Sequence, residues 1–239
     1  MKKLGVIGGL GPLASSRFYE LIVTMTDAAR DQDHMEILIY DKPTIPDRTD
    51  FILGKSIENP VTMLSEVGAN LVQLGVDYIA LPCVTGHYFY NQLTEKIHVP
   101  IIHMIKETVK HCKLHGVSSV GIMATEGTIY SKLFQQEFEQ YGIAAVIPSE
   151  AMQEHVSSLI YHNIKANRSP DMDKFATVAD ALKKNGAEVI ILGCTELSLI
   201  KREQDLGAGF LDVLEVLAMQ SILLCEAKLK KEYTSLITK

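Results

Sequence analysis

The chain has 239 residues, of which 47% are hydrophobic and 22% are charged, and its formal net charge at neutral pH is −6. No apolar run is long enough to cross a bilayer, and the lysines and arginines are scattered rather than gathered into the basic stripe that holds nucleic acid. The N-terminus begins like a signal peptide, but glycines at 5, 8 and 9 interrupt it before a long apolar region forms. We therefore expect a soluble, cytoplasmic protein with no membrane and no nucleic-acid partner.

Short β-branched runs alternate with longer helical patterns along the chain. The runs that predict strands are Leu4–Ile7, Met35–Tyr40, Tyr78–Leu81, Val99–His103, Val120–Met123, Ala144–Ile147 and Val189–Leu192. The patterns that predict helices are Leu13–Arg30, Pro60–Leu74, Met104–His115, Ile129–Tyr141, Ala151–Ala166 and Met172–Asn185. This alternation is typical of an α/β fold with parallel sheets that helices cover on both faces.

Two pairs of segments repeat each other within the chain. Residues 75–83 align without gaps on residues 186–194, and each copy begins with a glycine and ends with a cysteine. Residues 4–11 and 120–127 form a second pair at nearly the same offset. Such self-similarity indicates that the chain is duplicated.

The duplication predicts two similar α/β domains. We expect the first domain to span 1–98, completed by 212–239, and to carry Cys83, and the second to span 99–211 and carry Cys194. Ligands of open parallel sheets bind outside the carboxyl ends of the strands, where both cysteines fall. If the domains face each other about a pseudo-two-fold axis, the two thiols approach one interdomain cleft from opposite sides.

The spacing of the four cysteines argues against a metal centre, because no C-x-x-C pair is present. Cys112 and Cys225 lie inside helical patterns with apolar neighbours, which indicates simple packing. Cys83 and Cys194 could be small core residues or a redox pair, but their matching positions favour a shared catalytic role. Inverting a stereocentre by proton transfer requires a base and an acid on opposite faces of the carbon, and a thiolate and a thiol suffice.

Four motifs resemble those of the aspartate/glutamate racemase family, and the resemblance extends over essentially the whole chain. They are IGGLGPLA at residues 7–14, IPDRT at 45–49, PCVTGHY at 82–88 and LGCTEL at 192–197. The resemblance implies two flavodoxin-like domains, a homodimer, and a cofactor-independent two-base racemase of aspartate or glutamate. It also implies that the two cysteines flank the α-carbon of the substrate.

The resemblance assigns further residues to the substrate site. Arg48 and Lys165 would bind the substrate carboxylates, and the pocket would be lined by Thr85, Thr125 and Thr128. A guanidinium in a proline-flanked loop can bind a carboxylate bidentately, which supports Arg48, although a structural salt bridge is the alternative.

Glu196 lies two residues beyond Cys194, where it could tune the thiol, receive the substrate ammonium, or simply cap a helix N-terminus.

One position departs from the family pattern. The first cysteine motif of the family usually reads Pro-Cys-Asn-Thr-Ala-His, whereas Val84 and Gly86 replace the asparagine and the alanine here. Loss of an amide that contacts the substrate would weaken turnover or redirect specificity. The alternative hypotheses are therefore a related cysteine enzyme acting on another carboxylate, such as a decarboxylase or a hydantoin-type racemase, and a non-catalytic dicarboxylate-binding protein.

Cofactor-dependent alternatives have less support in the sequence. Residues 9–14 match the loose dinucleotide pattern G-x-G-x-x-A, with Asp41 after the next predicted strand, but the same residues suit a tight turn into a helix. Cys83 and His87 are four residues apart and lack a second ligand cluster, so we expect no metal site. No lysine has a recognisable Schiff-base setting, and we expect no cofactor.

Overall fold

The computed structural model describes residues 1–239. The strands are β1 (Leu4–Gly8), β2 (Ile37–Asp41), β3 (Tyr78–Ala80), β4 (Ser119–Met123), β5 (Ala144–Val146), β6 (Val189–Leu192) and β7 (Phe210–Asp212). The helices are α1 (Pro12–Met25), α2 (Arg48–Ile52), α3 (Val61–Gln73), α4 (Tyr90–Thr94), α5 (Met104–Leu114), α6 (Glu126–Tyr130), α7 (Leu133–Gln140), α8 (Glu150–Ser157), α9 (Met172–Lys184), α10 (Ser198–Glu203) and α11 (Val213–Leu224). No helix combines the length and the apolar character that a membrane crossing requires.

The strands form two parallel sheets, as the sequence predicts. The first sheet has the order β2-β1-β3 and the second the order β5-β4-β6-β7, and every neighbouring pair is parallel. The first three strands of each order correspond, because β1 and β4 are central and the third strand of each half lies on the same side. The duplication seen in the sequence is thus also present in the topology, and β7 is the strand that the second half adds.

The repeated glycines begin the corresponding turns of the two halves. Gly75 follows α3 with φ of +77°, and Gly186 follows α9 with φ of +97°. An added Cβ would meet nothing within 4 Å at either position, so the left-handed backbone, rather than space, is what favours glycine. The turns lead into β3 and β6, which place Cys83 and Cys194 at equivalent sheet edges.

The predicted strand Val99–His103 is reduced to a single bridge. Ile101 pairs with Ile79 of β3 in parallel, and no longer ladder forms. Pro100 has no N–H to donate and contributes only its carbonyl, which accepts from the Ile79 N–H at 2.9 Å.

Two predicted helices differ in their internal course. The predicted helix Ile129–Tyr141 is divided into α6 and α7, because Lys132 has a left-handed backbone with φ of +57°. The predicted helix Ala151–Ala166 is α8 continued by a π-helical segment, Ser158–Ile164, which ends immediately before Lys165. Wide turns of this kind are frequent at functional sites.

Helix α11 completes a core that the two halves share. It packs against α1 and against α5, and nearly all of its side chains are buried. The cluster around it joins Leu4 and Phe18 of the first half with Val120 and Phe134 of the second. Because α11 contacts both halves, its packing does not decide which domain includes the last segment, and the domain limits stay a prediction.

Candidate active site

The two predicted thiols lie just beyond the ends of corresponding strands. Cys83 follows β3 and Cys194 follows β6, and each is followed by a short 3₁₀ segment. Both are free and buried, with 4% and 6% of their surfaces exposed. They line a single cavity between the two halves, the inner chamber. The sheet edges therefore bring together two side chains that are more than 100 residues apart in the chain.

The inner chamber is small and mostly polar. Its lining consists of Leu10, Asp47, Arg48, Thr49, Cys83, Val84, Thr85, Thr125, Thr128, Tyr161, Lys165, Gly193, Cys194, Thr195 and Glu196. Its volume of about 10 Å³ is room for a single water molecule. An outer cavity of about 390 Å³ adjoins it and shares Leu10, Asp47, Arg48, Lys165 and Glu196. A ligand reaching the thiols passes between these five residues.

The two halves touch directly beside the chamber. Helix α2 of the first half packs on α6 of the second, and a Cβ added to Gly127 would stand 3.0 Å from the Cα of Thr49. Lys55 and Glu126 form an ion pair of 3.2 Å at the same junction. Because Gly127 allows this approach, the halves close tightly over the inner chamber.

Cys194 is paired with a carboxylate. Its Sγ donates to Oε2 of Glu196 at 2.9 Å, and Oε2 also accepts from the Thr195 hydroxyl at 3.4 Å. Burial raises the pKa of the Cys194 thiol well above its ordinary value, and the negative charge of Glu196 raises it further, while Lys165 acts in the opposite direction. Cys194 therefore holds its proton in this structure.

Glu196 also presents an unpaired oxygen to the chamber. Its Oε1 is buried and has no hydrogen-bond partner, and the Lys165 ammonium is 3.8 Å away, within ion-pair range but too far for a hydrogen bond. Burial lowers the pKa of Lys165, but the negative charges of Glu196 and the thiols raise it by more, so the ammonium stays charged. The Tyr161 ring lies 4.9 Å from the same ammonium. Oε1 is thus an open acceptor for a cationic ligand group.

Arg48 is fixed by backbone carbonyls. Its Nη1 donates to the carbonyls of Ile45 at 3.3 Å and Pro46 at 3.0 Å, and its Nη2 donates to the Leu10 carbonyl at 3.0 Å. Its Nε is buried and unpaired. Since a guanidinium has five N–H groups, two donors remain for a ligand, the number that a bidentate carboxylate takes.

Arg48 also interacts electrostatically with Cys83. Burial lowers the pKa of Arg48, but negative charge at Cys83, Asp47 and Glu196 raises it, and the net shift is upward. The Sγ of Cys83 is 3.3 Å from the Thr85 hydroxyl. The thiol of the first half therefore has a hydroxyl and a cation as neighbours, where Cys194 has a carboxylate.

His87 supports the Cys83 loop from behind. Its Nε2 accepts from the Met104 N–H at 3.2 Å, so the proton resides on Nδ1, which donates to the Cys83 carbonyl at 3.0 Å. Burial lowers the pKa of His87, which keeps the ring neutral. No group of three or more His, Cys, Asp or Glu side chains is placed to hold a metal ion, and the His87 ring hydrogen-bonds to the backbone of the Cys83 loop.

Thr125 and Thr128 form part of the chamber wall contributed by the second half. The Thr125 hydroxyl caps α6 by accepting from the Thr128 N–H at 3.3 Å, and the two hydroxyl oxygens are 3.0 Å apart.

All eight predicted site residues line the inner chamber: Cys83, Cys194, Arg48, Thr85, Thr125, Thr128, Lys165 and Glu196. The sequence reading did not single out Thr49 or Tyr161. Burial raises the pKa of the Tyr161 phenol to about 12, although the Thr49 side chain acts to lower it. The sequence could have indicated both residues, because Thr49 is adjacent to Arg48 and Tyr161 precedes Lys165 by about one helical turn.

Comparison with known proteins identifies the family of the chain. Residues 7–220 match the family described as Asp/Glu/hydantoin racemase. The chain belongs to this family. The broad specificity amino-acid racemase RacX of Bacillus subtilis is 27% identical over 204 residues, which are 82% of this chain and 86% of the relative. The predicted resemblance is thereby confirmed.

Solved structures show the same fold. The aspartate racemase of Picrophilus torridus superposes with a TM-score of 0.83 at 30% identity, over 98% of each chain. An aspartate racemase homologue from Pyrococcus horikoshii superposes with a TM-score of 0.77 at 22% identity, over 95% of this chain and all of that one. The two-domain α/β racemase fold predicted from the sequence is confirmed.

Proposed function

We propose that the chain is a cofactor-independent racemase of an acidic amino acid, aspartate or glutamate, that moves the α-proton between Cys83 and Cys194. The observation that carries the proposal is the match of charge between the chamber and such a substrate. Arg48 and Lys165 are two cations for two carboxylates, and Oε1 of Glu196 is one unpaired acceptor for the α-ammonium. The thiols line the same chamber, which must widen from its present volume of about 10 Å³ for the α-carbon to lie between them.

The chemistry requires only the side chains present. One cysteine, as thiolate, removes the α-hydrogen, and the electron pair moves toward the α-carboxylate. The other cysteine, as thiol, then protonates the opposite face of the carbon, so base and acid exchange roles when the other enantiomer reacts. Preorganised cations beside the α-carboxylate stabilise the charge that develops in a chamber from which water is largely excluded. Arg48 suits this role because three carbonyls hold it in place.

A racemase of wider substrate range is the second candidate function. Val84 lines the chamber where the family pattern has an amide, and the outer cavity of about 390 Å³ is larger than an aspartate side chain requires. The Bacillus subtilis relative is described as having broad specificity. Apolar amino acids would then extend their side chains toward Leu10 and Ile45, which line the outer cavity.

Proton NMR in D2O tests the reaction and separates the two candidates. The purified protein, without added cofactor, is incubated with each enantiomer of aspartate, glutamate, methionine and leucine. Loss of the α-proton signal together with formation of the opposite enantiomer identifies the substrates. Activity confined to aspartate or glutamate supports the first candidate, and comparable turnover of leucine supports the second. No exchange with any of the eight compounds would overturn both.

Single cysteine variants test the two-base step. Cys83→Ser and Cys194→Ser should each abolish racemisation, and one of them should still exchange the α-proton of a single enantiomer. Cys112→Ala is the matched control, because Cys112 is buried in the core away from the chamber and should leave turnover unchanged. Normal racemisation by both serine variants would exclude the mechanism.

The assembly and location that the resemblance suggests also remain proposals. We propose a homodimer, which light scattering on the purified chain would test. We propose a cytoplasmic location because the mechanism needs two reduced thiols, and that compartment keeps thiols reduced.

A further inference from the structure

The two thiols have different neighbours at one equivalent position of the duplicated halves. Cys83 and Cys194 occupy matching places in the repeat, but the residue two positions later is Thr85 in the first half and Glu196 in the second. The first contact is a hydroxyl 3.3 Å from sulfur, and the second is a carboxylate oxygen that accepts the S–H at 2.9 Å. The strands that lead to the two cysteines correspond, whereas the electrostatic environments of the two thiols differ.

The surrounding charges extend this asymmetry. The Cys194 thiol donates to one oxygen of the Glu196 carboxylate, and the Lys165 ammonium lies near the other oxygen. Tyr161 lines the same chamber. A carboxylate that accepts from a thiol favours the protonated form of that thiol.

Cys83 has no carboxylate among its hydrogen-bond partners, and a negative charge on its sulfur is attracted to the Arg48 guanidinium. No hydrogen-bonded carboxylate therefore holds a proton on this sulfur, as Glu196 does at Cys194.

We propose that Glu196 keeps the proton shared by the two thiols on Cys194 in the resting enzyme, leaving the thiolate at Cys83 beside Arg48. This inference rests on the proposed racemase function. Glu196 then acts on the reaction through Cys194 as a residue that sets its protonation state. The two enantiomers consequently meet unequal forms of one site.

The proton balance follows from this resting state. With the enantiomer whose α-hydrogen faces Cys83, the thiolate takes that hydrogen as a proton and becomes a thiol, and the electron pair of the broken C–H bond stays on the substrate. The S–H bond of Cys194 breaks as its proton forms the new C–H bond on the opposite face. The product leaves Cys83 as thiol and Cys194 as thiolate. One proton must then pass from Cys83 to Cys194, through water in the chamber, to restore the resting form.

The other enantiomer needs the minor protonation state. Its apparent affinity is reduced by the fraction of enzyme in that state, so its KM is higher. The equilibrium constant between enantiomers is one, and kcat/KM is therefore equal in the two directions for any variant. The enantiomer that has the higher KM must therefore also have the higher kcat, by the same factor.

Glu196→Gln is the informative variant, because the amide keeps the size and an oxygen acceptor but removes the charge. Glu203→Gln, an exposed position on α10, is the matched control. The ratio of the two KM values should fall toward one in the Glu196 variant and stay unchanged in the control. Any loss of ammonium binding at Oε1 weakens both enantiomers, and the ratio removes that common effect.

A second measurement reads the thiol without activity. Ultraviolet thiolate absorbance is followed against pH in Cys83→Ala and in the double variant Cys83→Ala/Glu196→Gln. Burial raises the pKa of Cys112 to about 12 and that of Cys225 to about 11, so those thiols ionise only at high pH. The thiolate of the double variant should form at lower pH than that of the single variant. Subtracting one titration curve from the other removes the absorbance of the tyrosines, which both variants share.

Three outcomes test the role of Glu196 and distinguish it from the proposed racemase function. Equal KM values for the two enantiomers in the wild-type chain, or identical thiolate titrations with and without Glu196, would overturn the role of Glu196 while racemisation stands. A wild-type chain that fails to racemise any substrate would overturn the proposed function instead. Unequal KM values that converge in Glu196→Gln, with the earlier thiolate titration, support the inference.

Discussion

Replacing Arg48 by lysine separates the charge of this side chain from its geometry. The guanidinium has two donors left after binding three carbonyls, and each charge-assisted hydrogen bond contributes about 1.5 kcal/mol or more. Two such bonds amount to about 3 kcal/mol, roughly a 100-fold change in kcat/KM. Lysine keeps the charge but has no planar fork, so we expect Arg48→Lys to lose roughly 10- to 100-fold.

The assay for Arg48→Lys pairs kinetics with stability. Rates of racemisation give kcat/KM, and thermal unfolding with and without the acidic substrate reports on binding, since a ligand stabilises the state that binds it. The variant should also unfold at a lower temperature, because the carbonyls of Leu10, Ile45 and Pro46 lose their donors. Arg30→Lys, on an exposed arginine, is the control. An Arg48→Lys chain with full kcat/KM and full stabilisation by substrate would refute the assignment of Arg48 to a substrate carboxylate.

Three further predictions concern stability and specificity. Burial, and then the like charge of Asp212, raise the pKa of Glu215 to about 7 from 4.5, so the folded chain binds more protons between these values. The free energy of unfolding should therefore fall as pH rises through this window, and denaturant titrations should show a weaker fall in Glu215→Gln. Gly186→Ala should cost about 1–2 kcal/mol in the same titrations, because an alanine at φ of +97° is strained, with activity at saturating substrate retained. Val84→Asn should shift the kcat/KM ratio toward acidic over apolar amino acids by roughly 10-fold, since it supplies an amide to the chamber, and an unchanged ratio would contradict a specificity role for Val84.

Most of the fold and most of the residues of the chamber could be predicted from the sequence. Parallel sheets follow from the alternation of strands and helices, and the paired glycine and cysteine of each repeat mark two equivalent sheet edges. Residues near those edges converge because the carboxyl ends of parallel strands share one side of a sheet. Arg48 and Lys165 lie in or beside irregular segments, and their placement came from resemblance to the family rather than from periodicity.

What the sequence left out depends on long-range contacts. The short strand β7 has only three residues, and it forms because β6 offers an unpaired edge, which no local pattern reveals. The left-handed backbone of Lys132, a residue type without a turn preference, likewise has no local signal. Tyr161 lines the chamber from a π-helical segment after α8, and the sequence predicts an ordinary α-helix there. Tertiary packing decides each of these features.

In the proposed mechanism, duplication and divergence together explain how one fold supplies both a base and an acid. The repeat fixes where the two sulfurs lie, because Gly75 and Gly186 start equivalent turns and β3 and β6 carry the chain to the same height at the sheet edge. A strictly symmetric pair would give both thiols the same environment and no preferred place for the single proton. The exchange of a hydroxyl for a carboxylate two residues after the cysteine breaks that symmetry. Racemisation needs the symmetric placement, and the choice of resting state needs the asymmetric charge.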